Sequence, residues 1–311
     1  MVKAWFYNEY GSLDVLQFGE VPDPSLGPGQ VLIKIRAAAL NPVDFKIRQY
    51  GIFRSADAPF PMVPGCDLAG VVADVGDGVS KFKKGDEVYG DIQDLTLGNP
   101  RQVGTLAEFT VAEEHLLALK PGNLSFEEAA SLPLALLTAL DAFDTVGFQK
   151  GQSVFIVGGA GGVGTLAIQL AKHFFEASRI VSTSSAGKAE FVKSLGADMV
   201  VDYTKQSYEQ IDEKFDFVFD TIGESFKSHV VAKEEGKIVD IAPLPAHPRA
   251  VQFILKPQGS NLERVGKYIE SGKLKAVIDP KSPYAFSDVV EALKHQESGR
   301  ARGKIVISPI E

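Results

Sequence analysis

Cysteine is nearly absent: Cys66 is the only one among 311 residues. A single thiol excludes an intramolecular disulfide, and with five scattered histidines it leaves no CxxC or HxxxH group for a structural zinc site. Basic runs are missing too, and the formal net charge of −8 disfavours a nucleic-acid partner. The one long uncharged span, 151–171, holds four glycines between positions 159 and 164 as well as Gln169, which argues against a membrane helix. The first residues, MVKAWFYNEYG, show neither a charged start leading into an apolar core nor enrichment in Arg and Ser. No secretory or transit segment is therefore expected, and a cytoplasmic location is the default. Apolar content of 45% and charged content of 23% describe an ordinary soluble protein, long enough for two domains.

What is present is organised around positions 153–175, SVFIVGGAGGVGTLAIQLAKHFF. Apolar and β-favouring residues run into a glycine cluster, after which Val163, Ala167, Leu170 and Phe174 recur at helical spacing. A buried strand turning sharply into a helix is expected. Gly159, Gly161 and Gly164 stand in the GxGxxG register. In that register the first glycine makes the tight turn, the second admits a pyrophosphate and the third lets helix and sheet pack closely. Unpaired amides at 161–163 would then face an anion, helped by about half a positive charge from the helix dipole. A dinucleotide is the natural ligand.

Before this stretch, 2–120 reads as short strands separated by turns, with strands over 31–36, 70–75, 108–111 and 116–119. Ser125 with Glu127 and Glu128 marks a capped helix start, and 129–142 continues the helical pattern despite Pro133. Strands at 153–157, 179–183, 199–202, 215–220 and 237–241, with helices at 163–175 and 186–195, predict a parallel, doubly wound sheet. Helices over 262–271 and 286–298 and a strand over 304–308 break that rhythm and are expected to return to the first domain.

The end of the second parallel strand selects the dinucleotide. An NAD site places an acid there for the ribose hydroxyls. Here the chain reads Thr183-Ser184-Ser185-Ala186-Gly187-Lys188, with no acid before Glu190. Ser184 and Ser185 can donate hydrogen bonds and Lys188 a charge to a 2′-phosphate, which points to NADPH. The alternative is that the serines cap the next helix and Lys188 is a solvated lysine.

The β-rich start, central glycine turn and returning C-terminus resemble the medium-chain dehydrogenase/reductase superfamily. Asn41-Pro42-Val43-Asp44-Phe45-Lys46, Val63-Pro64-Gly65-Cys66-Asp67-Leu68-Ala69-Gly70, Gly85-Asp86-Glu87-Val88-Tyr89-Gly90 and Gly303-Lys304 are similar to its zinc-free quinone oxidoreductase branch. Asn123-Leu124-Ser125-Phe126, Asp202-Tyr203-Thr204-Lys205 and Ser282-Pro283-Tyr284 resemble plant enone oxidoreductases more narrowly. The resemblance implies an α/β chain in which 1–121 and 260–311 form a GroES-like catalytic domain and 122–259 a Rossmann NADPH-binding domain. Zinc-dependent members carry a cysteine where this chain has Asn41, and Gly-His-Glu where it has Gly65-Cys66-Asp67, so no catalytic metal is expected.

The activity implied is metal-free hydride transfer to the β-carbon of a small α,β-unsaturated ketone, such as a 2-methylene-furan-3-one, followed by protonation at the α-carbon. Lys46 lies on the segment that the family places beside the nicotinamide and would contact its ribose, the substrate oxygen or both. Asn41 would hydrogen-bond ribose or substrate, or cap the turn before Pro42. Tyr50, in a loop flanked by glycine, would donate a proton, line the pocket or simply pack. Gly161, Gly162 and Val163 would meet the pyrophosphate, and Tyr203 the adenine or 2′-phosphate. Ile241 would pack near the nicotinamide or in the core, and Arg300 and Ala301 would reach the cofactor. Cys66 reads as a buried, inert thiol and Asp67 as structural. Pocket lining depends on the loop 91–103, and the short segment 243–258 favours a monomer over a homodimer. A quinone reductase, or an NADPH-binding protein without turnover, are the alternatives.

Overall fold

The computed structural model describes residues 1–56, 58–97 and 101–311, so part of the loop 91–103 lies outside the described residues. The chain opens on an antiparallel ribbon, β1 (Val2–Phe6) against β2 (Gln17–Val21). The eleven-residue β3 (Gln30–Leu40) alternates buried and more exposed side chains before ending in a fully buried run, 37–40. A helix, α1 (Pro42–Tyr50), follows where only strands and turns were expected. Asn41 stands at its N-cap, Pro42 fits the first turn, and Gly51 closes it in the left-handed conformation at φ 62°. Next come β4 (Asp67–Val75), β5 (Glu87–Asp91), β6 (Phe109–Glu113) and β7 (Leu117–Leu119).

The expected helical stretch across Pro133 is two helices, α2 (Phe126–Ala130) and α3 (Pro133–Thr145). Proline cannot sit inside a helix without losing a hydrogen bond, but it suits a first turn, so Pro133 restarts the helix instead of interrupting it. The cap of α2 is as read: the Glu128 amide donates to Ser125 Oγ at 3.1 Å and the Ser125 amide to Glu128 Oε2 at 2.9 Å.

From here strand and helix alternate: β8 (Ser153–Val157), α4 (Gly162–His173), β9 (Arg179–Ser184), α5 (Ala189–Ser194), β10 (Met199–Asp202), β11 (Phe215–Asp220), α6 (Ser225–Ser228), β12 (Ala232–Asp240) and β13 (Ala250–Val251). The helix expected from 186 opens as a 3-10 turn, Ala186–Lys188, and becomes α-helical only at Ala189. The chain closes with α7 (Gly259–Arg264), α8 (Gly266–Glu270), α9 (Val289–Glu297) and β14 (Ile305–Ile307).

Two compact units result. The first comprises Met1–Leu137, Leu255–Glu270 and Ala276–Glu311, and the second Thr138–Ile254 and Ser271–Lys275. In the first, an antiparallel sheet runs β14-β3-β4-β5-β7, with β6 also paired to β3. Ile33, Ile35, Leu68, Val88, Leu117 and Ile305 meet in its core, each buried side chain contributing about 1.5–3 kcal/mol. In the second, all strands are parallel in the order β10-β9-β8-β11-β12-β13, so the order reverses between β8 and β11. Such a reversal is where a doubly wound sheet opens a crevice for a nucleotide. All five residues of β8 are buried, as a strand covered on both faces requires. In the same unit Phe143 stacks on Phe175 at 4.6 Å and packs edge-on with Phe148 and Phe217 at 5.1 and 5.2 Å.

Candidate active site

The first unit builds its polar centre on α1. Asp44, Ile47 and Arg48 form the buried face of this helix. Asp44 Oδ2 accepts from the Asn41 amide at 2.7 Å, and its Oδ1 accepts from Cys66 Sγ at 3.1 Å. At the other end, Arg48 donates to Glu297 of α9 at 2.7 Å and to the Gly11 carbonyl at 3.2 Å. Lys46 and Tyr50, one turn apart, lie off this face. Lys46 is half-buried, has no acceptor for its ammonium among the described residues, and burial holds its pKa below the ordinary value. Tyr50 is 71% exposed and is the last residue of α1, which corrects its expected place in a loop.

Asn41 and Asp67 are both buried and meet Lys304. Asn41 Nδ2 donates to Asp67 Oδ2 at 2.9 Å, while Lys304 Nζ donates to Asn41 Oδ1 and, at 3.0 Å, to Asp67 Oδ2. Asp67 Oδ1 takes the Leu134 amide at 2.8 Å, in the first turn of α3, where a carboxylate is favoured by the helix dipole. The amide of Asn41 is thus spent at both ends inside the unit. The pairing of β4 with β5 sets Asp91 opposite Asp67, and burial, with Asp67 nearby, pushes the Asp91 carboxyl well above its usual range. Burial likewise raises Asp44 to about 6 and the Cys66 thiol well above 9.0. Asp67 is structural, as expected, whereas burial of Asp44 and Asp91 is not expected from the sequence. The available signal was charge inside apolar runs, Asp67 in CDLAGVV and Lys304 in KIVI.

The second unit forms the glycine turn. The left-handed residue out of β8 is Gly158, at φ 84°, rather than Gly159. Gly159 is required for a different reason: a Cβ there would stand 2.1 Å from Ser182 Oγ. At Gly164 a Cβ would meet the Gly158 carbonyl at 2.2 Å, the close packing expected of the third glycine. Gly161 is the N-cap of α4, no side chain caps it, and a Cβ there would touch only the Gly158 carbonyl, at 3.4 Å. The amides of Gly162 and Val163 therefore open the helix without an intrahelical acceptor, an arrangement fitted to a pyrophosphate.

Ser184, buried, ends β9, and its Oγ donates to the Ser185 carbonyl at 3.0 Å. Ser185 is the N-cap of the 3-10 turn without a side-chain cap bond, and Lys188 ends that turn. The register sets Asp202 beside Ser184, but its Oδ1 is held by Thr204 through N and Oγ1 at 3.1 and 2.7 Å. Tyr203, 58% exposed, follows β10. Ile241 lies one residue past β12, its amide on the Asp220 carbonyl at 3.1 Å, and that strand begins at Ala232 rather than 237. Arg300 and Ala301 lie in the first unit, between α9 and β14.

Comparison with known proteins agrees with this architecture. The family profile described as Alcohol dehydrogenase GroES-like domain matches 27–122, and that described as Zinc-binding dehydrogenase matches 195–307. The 2-methylene-furan-3-one reductase of Solanum lycopersicum is 52% identical over 99% of this chain and 79% of its own length. The chain belongs to the medium-chain dehydrogenase/reductase superfamily. Another member, the chloroplastic NADPH-dependent alkenal/one oxidoreductase of Arabidopsis thaliana, is 48% identical over 99% of the chain and 80% of its own length. Among solved structures, the quinone oxidoreductase of Coxiella burnetii superposes with a TM-score of 0.88 at 32% identity, covering 99% of each chain. Within the superfamily, the chain groups with quinone oxidoreductase-like members.

The raised Asp44 carboxyl makes stability depend on pH. Between the ordinary 3.8 and about 6 the folded chain keeps a proton that the unfolded chain has released. Stability contributed by that proton is therefore lost as pH rises through this window, by up to about 3 kcal/mol. Asp44→Asn, which cannot titrate, is expected to shrink the difference in thermal unfolding between pH 4 and pH 6.5; a difference equal to that of the unsubstituted protein would show that Asp44 is ionised throughout.

Proposed function

We propose that this member of the superfamily is an NADPH-dependent reductase that saturates the activated C=C bond of a small enone. The observation that carries the reading is Lys46: a half-buried ammonium without an acceptor among the described residues, on the helix that the family places at the nicotinamide. A free donor there can serve the ribose hydroxyls, the enone oxygen or both. When bound, NADPH supplies the hydride for the β-carbon. Lys46 stabilises the negative charge that develops on the carbonyl oxygen, and one well-placed donor of this kind is worth about 10²–10³ in rate. Asn41, whose amide is held by Asp67 and Lys304, contributes by fixing the start of α1. Tyr50, one turn from Lys46 and exposed, is available to line the substrate side or pass a proton.

The uncapped start of α4 takes the pyrophosphate through Gly161, Gly162 and Val163. Ser184, Ser185, Lys188 and Tyr203 surround the 2′-phosphate and adenine. Ile241, Arg300 and Ala301 complete the contacts with the dinucleotide. The names of the two plant relatives, one an enone reductase and one NADPH-dependent, support this reading.

Zinc does not fit the residues. Cys66 turns its thiol to Asp44, and the Asn41 oxygen, a neutral amide, already faces a lysine ammonium, so neither leaves a ligand set for a catalytic zinc. Among the described residues no three His, Cys, Asp or Glu side chains converge as a metal group. No helix of the described residues is long and apolar enough to cross a membrane. A cytoplasmic location and a monomer are part of the proposal, and an edge strand, β13, of only two residues supports the monomer.

The test follows NADPH absorbance with methyl vinyl ketone, a methylene-furanone and a naphthoquinone in parallel and identifies the products. Saturation of the two enones is expected. Turnover of the quinone alone would instead support a quinone reductase, the reading favoured by the Coxiella burnetii structure, and tight binding without turnover would support a binding protein. Lys188→Glu is expected to raise KM for NADPH at least about tenfold more than KM for NADH, through lost and reversed charge. Equal changes for both would remove Lys188 from the phosphate site.

A further inference from the structure

We propose that Lys304 is a positioning residue for the reaction and acts through Lys46. This rests on the reading of Lys46 given above. Lys304 is 5% exposed, immediately before β14, and directs its ammonium at two acceptors on different elements, Asn41 at the N-cap of α1 and Asp67 at the start of β4. A Cβ on the preceding Gly303, at φ 77°, would stand 2.2 Å from the Val277 carbonyl, so the backbone that turns Lys304 inward tolerates no side chain there.

The other end of α1 is held in the same manner. Arg48, 1% exposed, pairs with Glu297, which like Lys304 belongs to the returning segment Ala276–Glu311. Two charged contacts from one segment thus fix a nine-residue helix at its first and last turns. Lys46 itself has no partner for its ammonium among the described residues, so the place of that ammonium is set by where α1 sits. Without the Lys304 charge, Asn41 Oδ1 and Asp67 Oδ2 lose their shared donor, and the start of the helix keeps the Asn41–Asp67 contact and the Asp44 bonds. Displacement of a reacting group by about 1 Å is enough to lower a rate 10²-fold.

A double-mutant cycle tests this. Activity with a methylene-furanone and NADPH affinity by fluorescence are measured for the unsubstituted protein, Lys304→Met, Lys46→Met and the double variant. Lys46→Met is expected to lower kcat/KM about 10²-fold. Lys304→Met should lower kcat about tenfold with NADPH affinity changed by less than about twofold, and the double variant should match Lys46→Met, because no ammonium remains to be misplaced. Losses that multiply in the double variant would overturn the proposal and leave the role of Lys46 standing. Unchanged turnover in Lys46→Met would overturn both. If Lys304→Met does not fold, the pair Lys304→Met with Asp67→Asn removes both buried charges together, a change that folds tolerate. Loss of kcat in that folded pair supports the proposal, and full kcat overturns it.

Discussion

A lysine ammonium buried between an amide and a carboxylate is the contact on which the catalytic unit depends. Taking Lys304 and Asp67 out of water is expensive, and breaking such a pair by removing one partner typically costs about 3–5 kcal/mol. The chain meets that demand with several bonds at once. Asp67 accepts from Leu134, Asn41 and Lys304, so its charge is answered by an amide at a helix start, a neutral side chain and a cation. Each donor comes from a different part of the sequence. The contact therefore forms only when β4, the approach to α1, the start of α3 and the C-terminal strand are all in place, and it reports on the topology of the whole unit.

The second unit is organised by exclusion of side chains. Ser182 Oγ leaves no room at Gly159, and the Gly158 carbonyl leaves none at Gly164. Between them a Cβ on Gly161 would touch only the Gly158 carbonyl, at 3.4 Å, and the first amides of α4 remain for an anion. Tight packing at two positions and looser contact at the third come from the same residue type for different reasons. Elsewhere in the unit the rings around Phe143 pack together, and aromatic pairs at 4.6–5.2 Å add about 0.5–1.5 kcal/mol each beyond burial.

Local signals were legible in the sequence. The strand Ser153–Val157, the strand Met199–Asp202 and the capped start at Ser125 follow from short patterns, and the structure has them at the expected positions. α1 was hidden because its buried face carries Asp44 and Arg48, which spoil the apolar period that marks a helix. Pro133 fits the helical pattern of 129–142 from sequence, but it begins a helix instead of lying inside one. The Lys304 contact could not be read at all: its partners are 263 and 237 positions away, and no periodicity links residues at such separations. Gly303-Lys304 was visible as a motif, but its meaning resides in the partners it finds after folding.

The lone cysteine acquires a chemical significance from this setting. An enone is a soft electrophile that adds to thiolates as it does to hydride, so a protein handling one risks alkylation by its own substrate. Cys66 is 1% exposed, its thiol is turned toward Asp44, and burial keeps it protonated well above its ordinary range. With no second cysteine anywhere in the chain, the protein offers no accessible thiolate to the electrophile it is read as reducing.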